Sequence, residues 1–319
     1  MNKSVWPAIA GLLFGLSGLV AAQGYPNKAV RVVVPTVPGP LDAFARAVME
    51  KVADRLKQPF VIENRPGAGG NVGADAVAKA PADGYTLLFS IDTTFTVNPA
   101  IYKKMPFDPV KDFVTISVPV TYSQLLAVNP GVKVNNVADL VALAKQRKLS
   151  YATGGNGSPS HLSMASFLSA AGIEMTHIPY KGTGQSVIDV VGGQVETIFA
   201  VVTGVLPQVK GGKLKALAVS GTQRSALAPE IPTISESGYA GFNATFAYAV
   251  LAPAGTPDEV VRLLNREIII ALAQPDLVEK NRNWDYVATG LGTVQSADWL
   301  GDTRKKWADV VKRNNISID

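Results

Sequence analysis

Three short segments carry residue types that can hold an anion without a metal or a cationic side chain: Pro35 to Asp42, Gly154 to His161 and Tyr180 to Gln185. Each leads from an apolar, strand-like stretch through Gly, Ser or Thr into a helix-like stretch. At such a junction the first N–H groups of the helix lack an intrahelical partner and the dipole presents its positive end, so backbone alone can hold a carboxylate. Glycine helps because a side chain would keep the ligand away from the backbone. Taken singly, each loop also reads as an ordinary turn between a strand and a helix. Gly154-Gly155-Asn156-Gly157-Ser158 stands out, with three glycines in four residues and a hydroxyl at a helix start.

Other chemistries find little to build on. The chain has no Cys and only two His, His161 and His177, which nearly removes a metal site of imidazole and thiolate ligands. There is no G-x-S-x-G elbow and no phosphate-binding GxxxxGK[ST] loop. Ser158 and His161 lie three apart at a helix start, a spacing that favours capping and loop packing over a nucleophile and its base. Asp42, Asp189 and Glu196 read as caps or solvated helix residues. The cluster Gly67-Ala68-Gly69-Gly70-Asn71-Val72-Gly73 misses the dinucleotide-binding spacing and is read as a structural turn. No catalytic residue, cofactor or metal is expected.

The elements that would position these loops alternate between strand and helix. Ala29 to Val34, Phe60 to Ile62 and Tyr85 to Ser90 read as strands. Between them lie a helix with Asp42 as its cap and Phe44, Val48, Met49, Val52 and Leu56 on one face, and a second helix over Asn71 to Ala80. The pattern repeats from Val137, with strands at Ser150 to Thr153, Met175 to Ile178, Thr197 to Ala200 and Leu214 to Val219. Helices fall at Val137 to Gln146, Ser160 to Ala170 and Gln185 to Val191. The apolar run Ala244 to Ala252 precedes helices from Asp258, Pro275 and Ser296, with Thr256 expected to cap the first. The fold class is therefore α/β: two lobes, each a mainly parallel sheet flanked by helices. Residues 23–124 with 248–319 make the first lobe and 125–247 an inserted second one, with crossovers near 123–126 and 245–250 able to hinge.

Length and composition agree with export. The 319 residues, 47% of them hydrophobic, suffice for two cores without disulfides. Met1 to Ser4 with Lys3, the apolar stretch Val5 to Val20 and the small residues Val20-Ala21-Ala22 form a signal peptide (residues 1–22), with cleavage expected after Ala22 and a mature start at Gln23. Without Cys the product is not a lipoprotein. The net charge of +5 suits anionic ligands, and the scattered Lys and Arg do not suit nucleic acid.

The sequence resembles the Bug-type (TctC-like) periplasmic receptors of tripartite tricarboxylate transporters over nearly all of its mature length. The resemblance is carried by Tyr25-Pro26, Val34-Pro35, Pro38-Gly39, Asp42-Ala43-Phe44-Ala45-Arg46 and Glu63-Asn64-Arg65-Pro66-Gly67-Ala68-Gly69-Gly70. Further marks are Asp83-Gly84-Tyr85-Thr86-Leu87-Leu88, Asn98-Pro99, Asp112-Phe113, His177-Ile178-Pro179-Tyr180-Lys181-Gly182, Pro232-Thr233 and Ala252-Pro253-Ala254-Gly255-Thr256-Pro257. It implies a two-lobed Venus-flytrap fold that closes on a small organic acid, a mono- or dicarboxylate with aromatic ones included. The acid is then handed to integral-membrane transporter subunits by transient docking in the periplasm. It implies a monomer and no cofactor. By position, the carboxylate would be held by Pro38 and Gly39 and by Gly154, Gly155, Asn156, Gly157 and Ser158, with bridging waters, and Leu41, Asp42 and His161 are expected among the ligand-binding residues.

Two departures bear on the ligand. Pro40-Leu41 follows Gly39 where the family has a second Gly, removing one N–H donor. Ala247, between Phe246 and Tyr248, stands where the family commonly has Trp, and is expected to widen the far end of the pocket. Thr94, Thr183, Val201, Val202 and Phe246 are the residues expected on that wall. A second reading of the same fold is a sensing subunit that docks on a membrane sensor kinase.

Overall fold

The computed structural model describes residues 24–318; the expected leader and its cleavage point lie outside the described residues. The first part of the chain runs through β1 (Val30–Val34), α1 (Pro40–Leu56), β2 (Phe60–Asn64), α2 (Asn71–Ala78), β3 (Thr86–Ile91), α3 (Thr93–Thr96), α4 (Asn98–Ile101), β4 (Phe113–Ser117) and β5 (Val120–Tyr122). The middle part comprises β6 (Gln124–Val128), α5 (Val137–Gln146), β7 (Ser150–Thr153), α6 (Pro159–Ala171), β8 (Thr176–Pro179), α7 (Thr183–Val191), β9 (Thr197–Val201), α8 (Val202–Lys210) and β10 (Lys215–Val219). The last part holds β11 (Phe246–Pro253), α9 (Asp258–Leu272), α10 (Pro275–Trp284), β12 (Val287–Ala288) and α11 (Thr293–Arg313).

Two sheets result, in the orders β12-β5-β11-β3-β1-β2, with β4 also paired to β11, and β10-β6-β9-β7-β8. In each sheet three strands are parallel: β2-β1-β3 in the first and β8-β7-β9 in the second. The inner strands β1, β3 and β9 are largely apolar and buried, as strands covered by helices on both faces are, whereas the edge strands β2 and β8 carry polar, exposed residues. Beside each trio lies an antiparallel strand that arrives from the other sheet: β11 against β3, and β6 against β9. The antiparallel pairings of β4, β5, β10 and β12 complete two mixed sheets, so among the strands parallel pairing is confined to the two trios, apart from a single parallel bridge between Val219 and Thr233.

Strand alternation decides which side chain meets which helix. In the first sheet Val30, Val32, Val34, Leu87 and Phe89 face α1 and α9, whereas Val33 and Leu88 face a separate core containing Ala74, Phe95 and Leu300. The same alternation runs along β11, where Phe246, Tyr248 and Val250 belong to the first core and Ala247, Ala249 and Leu251 to the other. Ala247 is thus fully buried on the face opposite Tyr248. It does not widen any pocket that Tyr248 faces, and that expectation is corrected.

Helix starts also differ from the sequence reading. Pro40 occupies the first position of α1, where its missing N–H costs nothing and its ring pre-sets φ, so the helix begins two residues before Asp42 and Gly39 is its N-cap. Asp42 lies inside the first turn, where it is buried and bonds Arg46 one turn on, through Nε at 2.9 Å and Nη2 at 3.0 Å. Thr256 spends its hydroxyl on the Pro253 carbonyl, leaving Pro257 as the N-cap of α9. The short strands β4 and β5 and helix α8, which contains Pro207, were not read from the sequence.

The chain leaves the first sheet after Tyr122 and enters the second at Gln124, with Ser123 alone between them; it returns between Val219 and Phe246. Buried Ser220 ties the two passages together. Its N–H donates to the Gln124 carbonyl (2.8 Å), its hydroxyl accepts from the Gln124 N–H (2.9 Å) and donates to the Ala244 carbonyl (2.8 Å). The closing helices pack on the first sheet, and α11 reaches further. Trp307 stacks on Phe246 (5.1 Å between centroids), and Asn314 accepts from the Ser169 hydroxyl of α6. Among the described residues, no helix is long and apolar enough to cross a membrane.

Candidate functional site

A cavity of about 510 Å³ lies between the two sheets, at the carboxyl ends of the parallel strands. Ligands bind at this edge in open α/β sheets, and the volume suits a small molecule with some water. From the first sheet the lining is Thr36, Val37, Pro38, Gly39, Pro40 and Leu41 of the β1–α1 loop, with Ile91, Tyr122 and Tyr248. From the second it is Ser158, Pro159 and Ser160 at the start of α6, Thr183 and Gly184 at the start of α7, and Gln124 and Val201.

The N-termini of α1, α6 and α7 converge here from both sheets, and none of the described lining residues is charged. Helices α1 and α7 start without a side-chain cap, so their first N–H groups are left for whatever occupies the space. In α6 the Ser158 hydroxyl accepts from the His161 N–H, while Pro159 takes the first position. Three positive dipole ends with no competing carboxylate make a site for an anion.

The β1–α1 loop is held from behind. Arg46, paired with Asp42, also donates to Asn64 Oδ1 (3.4 Å), and Asn64 donates to the Thr36 carbonyl (3.0 Å). The Arg46 guanidinium holds the Asp42 carboxyl below the usual carboxylate range. Asp42 therefore supports the loop as a fixed anion and does not line the cavity.

The glycine-rich loop of the second sheet spends most of its amides on itself. The Gly154 N–H donates to Ser160 Oγ (2.9 Å), Gly155 to Thr153 Oγ1 (3.3 Å), Gly157 to His161 Nδ1 (3.2 Å) and Ser158 to the Gly155 carbonyl (3.2 Å). Asn156 points away and donates to the Ser317 carbonyl beyond α11 (3.2 Å). Within 154–158 only Ser158 lines the cavity. His161 is buried under the loop, stacked on His177 at 4.0 Å, and His177 in turn stacks on Tyr151. Burial, with His177 beside it, lowers the His161 pKa to about 3, which keeps Nδ1 free to accept from Gly157.

Of the residues expected at the site, Pro38, Gly39, Leu41, Ser158, Thr183 and Val201 line the cavity, while Asp42, Gly154, Gly155, Asn156, Gly157 and His161 stand behind it. Thr94, Val202 and Phe246 lie elsewhere. Thr94 is fully buried and bonds Ser90 and the Gly69 carbonyl, Val202 packs in the core behind β9, and Phe246 lies flat on Trp307. Ser160 and Gly184 fall within the loops singled out in the sequence, Gly154 to His161 and Tyr180 to Gln185, whereas Ile91, Tyr122, Gln124 and Tyr248 were missed. Only Tyr248 carried a signal, its place in the alternation of β11. The first glycine cluster packs as a turn, its Gly69 carbonyl accepting from Thr94 and Asn98. Among the described residues no group of three or more His, Cys, Asp or Glu could hold a metal ion.

Comparison with known proteins gives a consistent set of likenesses. The family described as "Tripartite tricarboxylate transporter family receptor" matches residues 44–316. Protein BugT of Bordetella pertussis (strain Tohama I) is 34% identical over 330 aligned positions, covering 100% of each chain. The solved structure of R. palustris Rpa4515 with adipate is 32% identical, covers 92% of this chain and 100% of its own, and superposes with a TM-score of 0.83. MatC (Rpa3494) from Rhodopseudomonas palustris with bound malate is 29% identical over 90% of this chain and 100% of its own, with a TM-score of 0.78.

Proposed function

We propose a specific role for this chain, which belongs to the tripartite tricarboxylate transporter receptor family. Members of that family are solute-binding receptors and not enzymes, and this chain is one of them. The role we assign is capture in the periplasm of a small organic acid, a mono- or dicarboxylate, and its delivery to integral-membrane transporter subunits. The observation that carries the ligand class is the convergence of the α1, α6 and α7 N-termini on a cavity lined by no charged described residue. A carboxylate fits there because N–H groups and dipoles from both lobes supply what a cation otherwise would. The adipate and malate in two relatives support the same class.

The carboxylate is placed against Gly39 and Leu41 of one lobe and Ser158, Ser160, Thr183 and Gly184 of the other, so that its binding draws the lobes together. The lobe bounds read from the sequence, 23–124 with 248–319 and 125–247, shift by one or two residues: the first lobe's sheet ends at Tyr122 and resumes at Phe246, and Gln124 opens the second. The movement falls on Ser123 and on the return strand near 245–250, where few residues connect the sheets. Asn156, Gly154, Gly155, Gly157 and His161 are assigned to holding the second loop, and Asp42 to holding the first.

A thermal-shift screen of residues 23–319 against mono-, di- and tricarboxylates tests this reading. At a hundredfold excess over Kd a ligand of the native state adds about 2.7 kcal/mol, enough to move the transition by several degrees. No shift with any acid, using protein refolded from denaturant to strip bound ligand, would overturn it.

A further inference from the structure

The two sheets lay out the cavity in the same order. In the second, the carboxyl ends of β8 and β7 lead to Gly184 and Ser160, β9 ends at Val201, and Gln124 opens β6 directly opposite Val201. In the first, β1 leads to Gly39, β3 ends at Ile91, Tyr248 sits opposite Ile91, and Tyr122 ends β5. Both edges therefore run from helix N-termini, past an apolar residue, to polar residues at the passage between the sheets. Strands lie about 4.8 Å apart, so Gln124 is roughly 10 Å from the α6 loop.

Gln124 is only 2% exposed, and its backbone is engaged by Ser220, but its side-chain amide bonds no described residue and borders the cavity. The Tyr122 phenol, 6% exposed and one residue beyond Ser123, likewise bonds none, whereas the Tyr248 hydroxyl is taken by Tyr286 at 2.9 Å. Two polar side chains that border the cavity, on residues two apart in the chain and bonded to no described residue, ask for a ligand group that pairs with them.

We propose that Gln124, with Tyr122, is the specificity-determining contact for the ligand end remote from its carboxylate, and that it selects a neutral hydrogen-bonding group over a bare alkyl end and over a second carboxylate. This rests on the receptor reading above. An alkyl end leaves the amide and phenol unpaired in a buried site. A second carboxylate meets no cation there. Of helix α8 only the N-cap, Val201, lines the cavity, and Val202 is packed in the core. A carbonyl, amide or hydroxyl four to six bonds from the carboxylate satisfies both groups at about this separation.

Titration calorimetry with pentanoate, 5-hydroxypentanoate, glutarate monoamide and glutarate tests the assignment. The monoamide or the hydroxy acid is expected to bind about tenfold or more tighter than pentanoate and than glutarate. Gln124→Leu should bring those two down to the pentanoate level while leaving pentanoate within about twofold. Tyr122→Phe, which removes one oxygen and keeps the ring, should cost the monoamide several-fold and pentanoate nothing. Equal weakening of all four acids by both variants, or tighter binding of glutarate than of its monoamide, overturns the proposal while leaving the receptor reading intact. Binding of none of the four, nor of any acid in the wider screen, overturns both.

Discussion

Gly184 offers a way to ask whether the anion sits at the helix N-termini without disturbing the fold. It is the second residue of α7 and lines the cavity, and a Cβ added to it meets nothing within 4 Å. Gly184→Asp places a fixed carboxylate where the ligand's should lie. Two unit charges about 5 Å apart at an effective dielectric of about 20 repel by about 3 kcal/mol. Solvent at this exposed position reduces that to about 1.5–3 kcal/mol, so affinity should fall about 10- to 200-fold. The same substitution should not destabilise the protein, because an acid in a helix's first turn contributes about 0.3–1 kcal/mol. Gly184→Asn, nearly the same shape without the charge, is the control and should lose no more than about threefold. Titration calorimetry with the acid chosen by the thermal-shift screen gives the affinities, and thermal denaturation gives the stabilities. If Asp and Asn agree within a factor of two, the anion is not seated at α7 and the site as drawn is refuted.

Three further outcomes are expected. Phe44→Ala, which empties the centre of the cluster formed with Phe89, Tyr248, Trp284 and Tyr286, should lower the unfolding free energy by about 3–5 kcal/mol in a urea titration. His161 has a folded pKa of about 3 against about 6.5 unfolded, so the unfolded chain binds the extra proton and stability falls as pH drops below about 6.5. This term is absent above about pH 7, and it should cost about 2 kcal/mol by pH 5, measured as the difference in pH profile between wild type and His161→Gln. Gly157→Ala forces a side chain at φ +71° and brings its Cβ within 2.4 Å of Ile101 Cδ1 on the other lobe. It should weaken ligand binding about tenfold by disfavouring this arrangement of the lobes, with partial rescue by Ile101→Val. An unchanged Kd would remove that contact from the closing surface.

The parallel trios and their helices were legible because their signal is local. Val30–Val34, broken only by Arg31, and Thr86–Ile91 are mostly apolar, α1 shows its buried face at helical spacing, and Pro275 marks a helix start as a fixed-φ residue can. The loops at the carboxyl ends were legible for the same reason, since a strand, a glycine and a helix start lie within ten residues of one another. The α/β class follows from the alternation of strand-like and helix-like stretches, and the lack of thiols from composition.

What the sequence could not rank was what each loop residue does with its polar atoms. Gly154, Gly155 and Gly157 look like open donors, yet Ser160, Thr153 and His161 accept their N–H groups, and the donor left to a ligand shifts to the next helix turn. The wall of the cavity was less legible still. Phe246 and Ala247 differ from Tyr248 only in phase along β11, and the pairing of Tyr248 with Ile91 and the stacking of Phe246 on Trp307 decide which of them faces the ligand. Gln124 and Tyr122 meet the helix N-termini only because the chain crosses from one sheet to the other at Ser123. A contact between residues far apart in the chain is fixed by how the sheets are assembled, and no short stretch of sequence carries it.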